Sequence, residues 1–154
     1  MKLKKIISKL SLEEKVSLLS GFDNWHTPDI KKYGIPKIKM SDGPNGVRGD
    51  SSTPQTSACF PSPILLGATW NEKLIKKIGS ATGEEALYKD VDVLLAPTIN
   101  LHRHPLGGRH FECYSEDPVL TSKIACSYVS GVQSKGVAAC LKHFAGNDTE
   151  FERH

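Results

Sequence analysis

Polar and charged residues gather where the short apolar runs of this chain end. Asp42 closes the run from Ile38 to Ser41, Thr98 and Asn100 follow Val91 to Pro97, and Lys142-His143 follows Val137 to Leu141. A carboxylate acceptor beside cationic donors suits a polyol, because every hydroxyl both donates and accepts a hydrogen bond. Asp42 can accept from two neighbouring hydroxyls, and a bond to an ionised group is about twice as strong as a neutral one. Lys142, His143 and Arg109 are the candidate donors. Such groups are costly to bury alone, so they are expected to hold one another when no ligand is present.

Other reactive residues have plainer readings. Asp117 stands directly before Pro118, where it caps a helix rather than acting in catalysis with Glu112 or Glu116. Glu112 is placed to brace Arg109 or Lys142 through an ion pair. His102, His104 and His110 invite a metal, yet no cysteine pair and no HExxH accompanies them, so local hydrogen bonding is expected and no metal or cofactor. Cys59, Cys113, Cys126 and Cys140 show no CxxC spacing and read as buried free thiols. Trp25 and Trp70 lie among apolar neighbours, which favours the core over stacking on a sugar.

The elements that must position these residues alternate between helices and short strands. Ser11-x-x-Glu14 is a capping box, opening a helix with Leu12, Val16 and Leu19 on one face. A strand over 38–41 runs into the turn Asp42-Gly43-Pro44, and Pro63 to Thr69 reads as a second strand. Asn71 caps a helix carrying Leu74, Ile78 and Ala81 and ending near Lys89, before the strand from Val91. A helix from Pro118, with Val129 and Val132 on its apolar face and Gly136 closing it, leads to a last strand over 137–141. Strands apolar on both faces and joined by helices predict a parallel sheet. No GxGxxG or GxxxxGK[ST] follows a strand, so part of a β/α barrel is favoured over a doubly wound sheet. In such barrels the carboxyl ends of the strands form the functional face, which is where the polar clusters fall.

The 154 residues, 38% of them apolar, suffice for one ordinary core. The formal charge is +3, with Lys2, Lys4, Lys5 and Lys9 read as a solvated helix face. Acids and bases are otherwise interleaved, so no nucleic acid is expected as a partner. No apolar run is long enough to span a membrane, and the N-terminus lacks the continuous apolar stretch of a signal peptide, which predicts a cytoplasmic protein.

Five segments together resemble the family 3 glycoside hydrolases of the β-glucosidase type: LSLEEKVSLLSGFDNWHT (10–27), MSDGPNGVRG (40–49), FPSPILLGATWNEKLIKKIG (60–79), INLHRHPLGGRHFECYSEDP (99–118) and GVQSKGVAACLKHFAGNDTEFER (131–153). They stand in family order over nearly the whole chain. The resemblance implies an α/β fold, the N-terminal half of a TIM-like (β/α)8 barrel, truncated, with 1–154 forming part of the family's N-terminal domain. It implies retaining hydrolysis of a terminal β-linked sugar, with an oligosaccharide or an aryl or alkyl glycoside as substrate. Asp42, Arg109, Lys142 and His143 resemble the family's sugar-binding residues, and Arg153 either reaches the same pocket or braces it. Met40-Ser41-Asp42-Gly43 superficially looks like the nucleophile motif, but Pro44, Gly46 and Arg48 mark Asp42 as the binding aspartate. Nucleophile and acid/base are expected beyond His154, leaving no catalytic residue in the chain. His104 and His110 depart from the family's usual residues. The stretch Lys142-His143-Phe144-Ala145-Gly146-Asn147-Asp148 lacks the Pro and second His of the N-acetylglucosaminidase branch, so the glucosidase or xylosidase branch is preferred. A non-catalytic carbohydrate-binding or decayed fragment is the alternative from another class. The half barrel is expected to self-associate or to join the remainder of the enzyme.

Overall fold

The computed structural model describes residues 2–49, 55–144 and 146–152. The chain divides into two units, Met1–Met40 and Ser41–His154.

The first unit carries two short helices, α1 (Lys2–Ile7) and α2 (Leu12–Ser17). Ser11 caps α2 as predicted: its hydroxyl accepts from the Glu14 N–H, and the Glu14 carboxylate accepts from the Ser11 N–H. The expected apolar face is not buried, since Leu12, Val16 and Leu19 are all exposed. Beyond α2 the chain folds back on itself through the bridges His26 to Lys39 and Ile30 to Ile35, and the Tyr33 hydroxyl donates to the Lys9 carbonyl at 2.7 Å.

The second unit is an α/β assembly. Its sheet has the strand order β1 (Met40–Asp42), β2 (Val93–Leu95), β3 (Ala138–Ala139). β2 and β3 are parallel, with Val93 opposite Ala138 and Leu94 opposite Ala139. The pairing resumes beyond them at Thr98 and Lys142, where the Ile99 N–H donates to the Lys142 carbonyl at 2.7 Å. Two long helices cover the sheet, α4 (Glu72–Tyr88) and α5 (Pro118–Gln133). Asn71 caps the first by accepting from the Leu74 N–H, and Asp117 caps the second by accepting from Val119 and Leu120. Gly136, with φ +83°, follows the end of α5 as expected.

The core draws Leu94 from β2, Val91 and Val137 from the strand approaches, Ile75 and Ala86 from α4, and Ile124, Tyr128 and Val132 from α5. Each Val, Leu or Ile among them contributes about 1.5–3 kcal/mol on full burial, which is why strands of two and three residues persist. The helices cross where side chains vanish. A methyl group on Gly79 would stand 2.3 Å from the Tyr128 carbonyl oxygen, and one on Gly131 would stand 2.3 Å from that of Lys76. Only hydrogen at both positions allows backbone-to-backbone contact.

Several sequence expectations need correction. Pro63 to Thr69 is not a strand: residues Pro63–Ala68 form a helix, α3. Proline at its first position has no N–H to lose there, and one face (Pro63, Leu66, Gly67) is buried while Ile64 and Leu65 are exposed. An apolar run of this length carries no period that separates helix from strand, and here the proline decides. In α4 the buried face is Ile75, Gly79, Thr82 and Ala86, one residue along from the predicted Leu74, Ile78 and Ala81; Leu74 is exposed and Ile78 only borders the core. Glycine and threonine carry too little hydrophobicity to reveal that stripe. Trp70 is not in the core but 74% exposed, on the turn between α3 and α4. Of the four free cysteines only Cys113 is buried. No helix among the described residues is long and apolar enough to cross a membrane.

Candidate functional site

Three strand ends place the charged side chains. Asp42 is the last residue of β1, and its carbonyl accepts the Arg48 N–H at 2.9 Å, which fixes the turn behind it. Lys142 sits where β3 has run on beside residues 97–99, its N–H donating to the Pro97 carbonyl at 3.0 Å. The two residues lie 100 apart in sequence, yet Lys142 Nζ donates to Asp42 Oδ1 at 2.6 Å. The sequence-predicted pair of acceptor and donor therefore meets directly, with the cation 13% exposed and the carboxylate 35%.

Behind this pair stands Glu112, delivered by the 3₁₀ turn His110–Glu112 and only 8% exposed. Its Oε2 accepts from the Thr98 hydroxyl at 3.0 Å and lies 3.8 Å from Lys142 Nζ; its Oε1 accepts from Arg109 Nε. Burial by itself would push this carboxyl up. The hydrogen bonds from Arg109 and Thr98, with the charges of Arg109 and Lys142, outweigh burial and hold it below the usual value. The same bond to Glu112 raises the Arg109 guanidinium, helped by the charges of Glu150 and Asp42. Arg109 Nη1 also lies 3.8 Å from Glu150 Oε1, which accepts from Asn147 at 2.7 Å. Glu112 is thus the brace that the sequence suggested, serving both cations at once. A general acid needs a raised pKa, and this carboxyl has the opposite shift.

His143 is held beside Lys142 by Asn100, whose Oδ1 accepts from both its backbone N–H and its Nδ1 at 3.0 Å. The structure therefore joins Asp42, Lys142 and Arg109 through Glu112, with His143 tied next to Lys142. Arg153 lies outside the described residues. Thr98, Asn100 and Glu150 have larger roles than the sequence reading assigned to them. The signal for the first two was their place just past the end of β2; nothing marked Glu150 except its motif.

His102 and His104 have structural explanations, whereas His110 Nε2 is buried with no hydrogen-bond partner among the described residues, contrary to the local bonding expected of it. His102 Nε2 lies between the His110 and Cys113 carbonyls at 2.9 and 3.0 Å, and the Leu106 N–H donates to His104 Nδ1 at 3.2 Å. No group of three potential metal ligands occurs among the described residues. Cys113 is not an activated nucleophile, because burial pushes its thiol up to about 11.

Parallel β/α topology with a carboxylate–cation cluster at the carboxyl ends of the strands defines an α/β protein whose charged groups gather at the edge where such folds carry their functional residues. Comparison with known proteins gives the family: the chain belongs to glycosyl hydrolase family 3, whose N-terminal domain it matches over residues 5–154. It is 57% identical over 150 residues to a β-glucosidase of Rhizobium radiobacter, covering 96% of this chain and 18% of that protein. It is 46% identical to the thermostable β-glucosidase B of Acetivibrio thermocellus, covering 98% of this chain and 21% of that one. Among solved structures, the β-glucosidase of Kluyveromyces marxianus in complex with glucose superposes with a TM-score of 0.92 at 43% identity, over 96% of this chain and 18% of that one. β-Glucosidase 3B of Thermotoga neapolitana in complex with glucose gives 0.88 at 42% identity, over 99% and 24%. The chain thus spans about a fifth of the length of the curated relatives it matches.

Proposed function

We propose that this chain carries the hydroxyl-binding part of a β-glucosidase site, and that the whole protein hydrolyses terminal β-linked glucosyl residues with retention. The observation that carries the reading is the 2.6 Å contact between Lys142 and Asp42, backed by Glu112 and Arg109. A glucosyl ring presents adjacent hydroxyls, each able to donate to Asp42 while accepting from Lys142 or Arg109. His143, fixed on Asn100, is the fourth contact in this reading, and Arg153 the fifth.

Retaining hydrolysis needs one ionised carboxylate to attack the anomeric carbon and one protonated carboxyl to release the leaving group. Asp42 is engaged with Lys142, and Glu112 is engaged with Arg109 and held below the usual carboxylate range, so neither suits the acid. Both catalytic carboxylates are assigned to parts of the protein outside this chain. The strand order β1-β2-β3, with a helix between successive strands and no reversal, supports the first units of a (β/α)8 barrel rather than a doubly wound sheet. A cytoplasmic setting accords with the free thiols, three of them exposed.

The test is titration of the ¹⁵N-labelled chain with D-glucose, D-xylose and N-acetylglucosamine. Glucose is expected to shift the amides of Asp42, Arg48, Lys142 and His143. Shifts confined to another surface, or none at saturation, would remove the site; a clear preference for one of the other sugars would reassign the substrate.

A further inference from the structure

Residues 43–49 and 55–60, on either limb of the segment after Asp42, form no helix or strand, yet their backbone is held by two charged side chains at the end of α4. Lys89, the residue that caps the end of α4, is only 1% exposed at its side chain, and Glu85 lies one turn before it, 3.5 Å from the ammonium group. The Glu85 carboxylate accepts from two loop amides, Val47 at 2.8 Å and Ala58 at 2.7 Å. Lys89 Nζ donates to the Val47 carbonyl and to the Ser57 hydroxyl, and that hydroxyl in turn donates to the Val47 carbonyl. One acid and one base thus pin both limbs of the loop. The limbs pass so closely at this point that a methyl group on Gly46 would stand 2.0 Å from the Ala58 carbonyl oxygen.

A buried ion pair is a poor means of stabilising a core, since an apolar pair of equal volume often does as well or better. What it can do is satisfy irregular backbone donors and acceptors that have no ladder to join. The residue next to Val47 is Arg48, whose N–H donates to the Asp42 carbonyl. The pinned limbs also line a cavity of about 350 Å³ that Asp42 borders on one side and Ser57 and Ala58 on another.

We propose that Glu85 and Lys89 are positioning residues for the sugar-binding site, fixing the limbs 43–49 and 55–60 and through them the place of Asp42. The proposal rests on the reading of Asp42 as the acceptor for sugar hydroxyls. Neither residue touches the sugar in this scheme.

The experiment uses the ¹⁵N-labelled chain and the variants Lys89→Met and Glu85→Gln, with D-glucose as the probe. Amide hydrogen exchange is followed at Val47, Arg48 and Ala58, with Cys140, bonded to the Leu94 carbonyl in the sheet, as the reference. Lys89→Met is expected to speed exchange at the loop amides by about tenfold or more, leave Cys140 within about twofold, move the Arg48 amide shift, and weaken glucose by about fivefold or more. Glu85→Gln keeps one acceptor for two amides and is expected to show the same pattern more mildly; it serves as the test should Lys89→Met fail to fold. Local loosening with unchanged glucose affinity in both variants would overturn the positioning role. Equal loss of protection at the loop and at Cys140 would also overturn it, reducing the pair to general stability. A wild-type chain that binds no glucose would instead overturn the site reading on which the proposal rests.

Discussion

At the scale of single residues, the site is a chain of charges in which each member has a different task. Asp42 is the open acceptor. Replacing it with asparagine keeps the shape but removes the charge that strengthens its bonds, so glucose affinity should fall at least about tenfold, in line with ~1.5–3 kcal/mol for a charged hydrogen bond. The melting temperature should change little, because Lys142 keeps Glu112 3.8 Å away. An NMR titration beside a thermal melt reads both. Glu112 is the internal brace, and its carboxyl is held below the ordinary 4.5 by Arg109, Thr98 and Lys142 against the opposing pull of burial. The unfolded chain therefore takes up this proton at a higher pH than the folded one. The resulting stabilisation is fully present above about pH 5 and is lost as the pH falls through the folded value. Glu112→Gln lacks that dependence. The gap in melting temperature between wild type and variant should be widest near neutrality and close below pH 4.5; a gap unchanged down to about pH 3 would show that the brace is not electrostatic.

At the scale of elements, helix ends and helix crossings position the site more than strand length does. The α4–α5 crossing depends on Gly79 and Gly131, where carbonyls of the opposite helix occupy the space of a side chain. Helix propensity alone would make Gly131→Ala stabilising by about 1 kcal/mol. The 2.3 Å approach to the Lys76 carbonyl instead predicts net destabilisation, since overpacking costs ~1–3 kcal/mol, and urea denaturation decides the sign. Asp117 holds the start of α5 by accepting from Val119 and Leu120. Its replacement by alanine should cost ~1 kcal/mol, read from the same denaturation curves.

At the scale of the whole chain, the sheet sets the expected behaviour in solution. β3 stands last in the strand order, and beside it an apolar groove of about 320 Å³ is lined by Ile99, Leu101, Pro118, Ala125 and Leu141. An outer strand beside an apolar groove invites a second copy of the chain. The purified 154-residue chain should therefore elute as oligomers in size-exclusion chromatography with light scattering; a monodisperse monomer with a sharp transition at high temperature would count against this. The same preparation should release no nitrophenol from aryl β-glucosides above background, because the nucleophile and acid are assigned elsewhere in the protein. Turnover that survives repurification and vanishes in Asp42→Ala would show that the chemistry resides in this chain.

Local rules reached far along this sequence. The capping box at Ser11, the caps at Asn71 and Asp117 and the turn after Asp42 each depend on residues within four or five positions of one another, and all are legible as written. The strand ends were legible too, because polar groups such as Asp42, Thr98 and Lys142 stand just beyond apolar runs. What tertiary structure alone decided involves long range or the absence of a signal. The buried face of α4 moved to Ile75 and Gly79, because hydrogen-sized positions fit against α5. Trp70 turned outward and three cysteines stayed exposed, since type alone does not say which side of an element meets the core. Nothing in the sequence singles out Glu85 and Lys89, one helical turn apart. Lys89 is buried and Glu85 half-buried because a loop some forty residues earlier turns backbone donors and acceptors onto them.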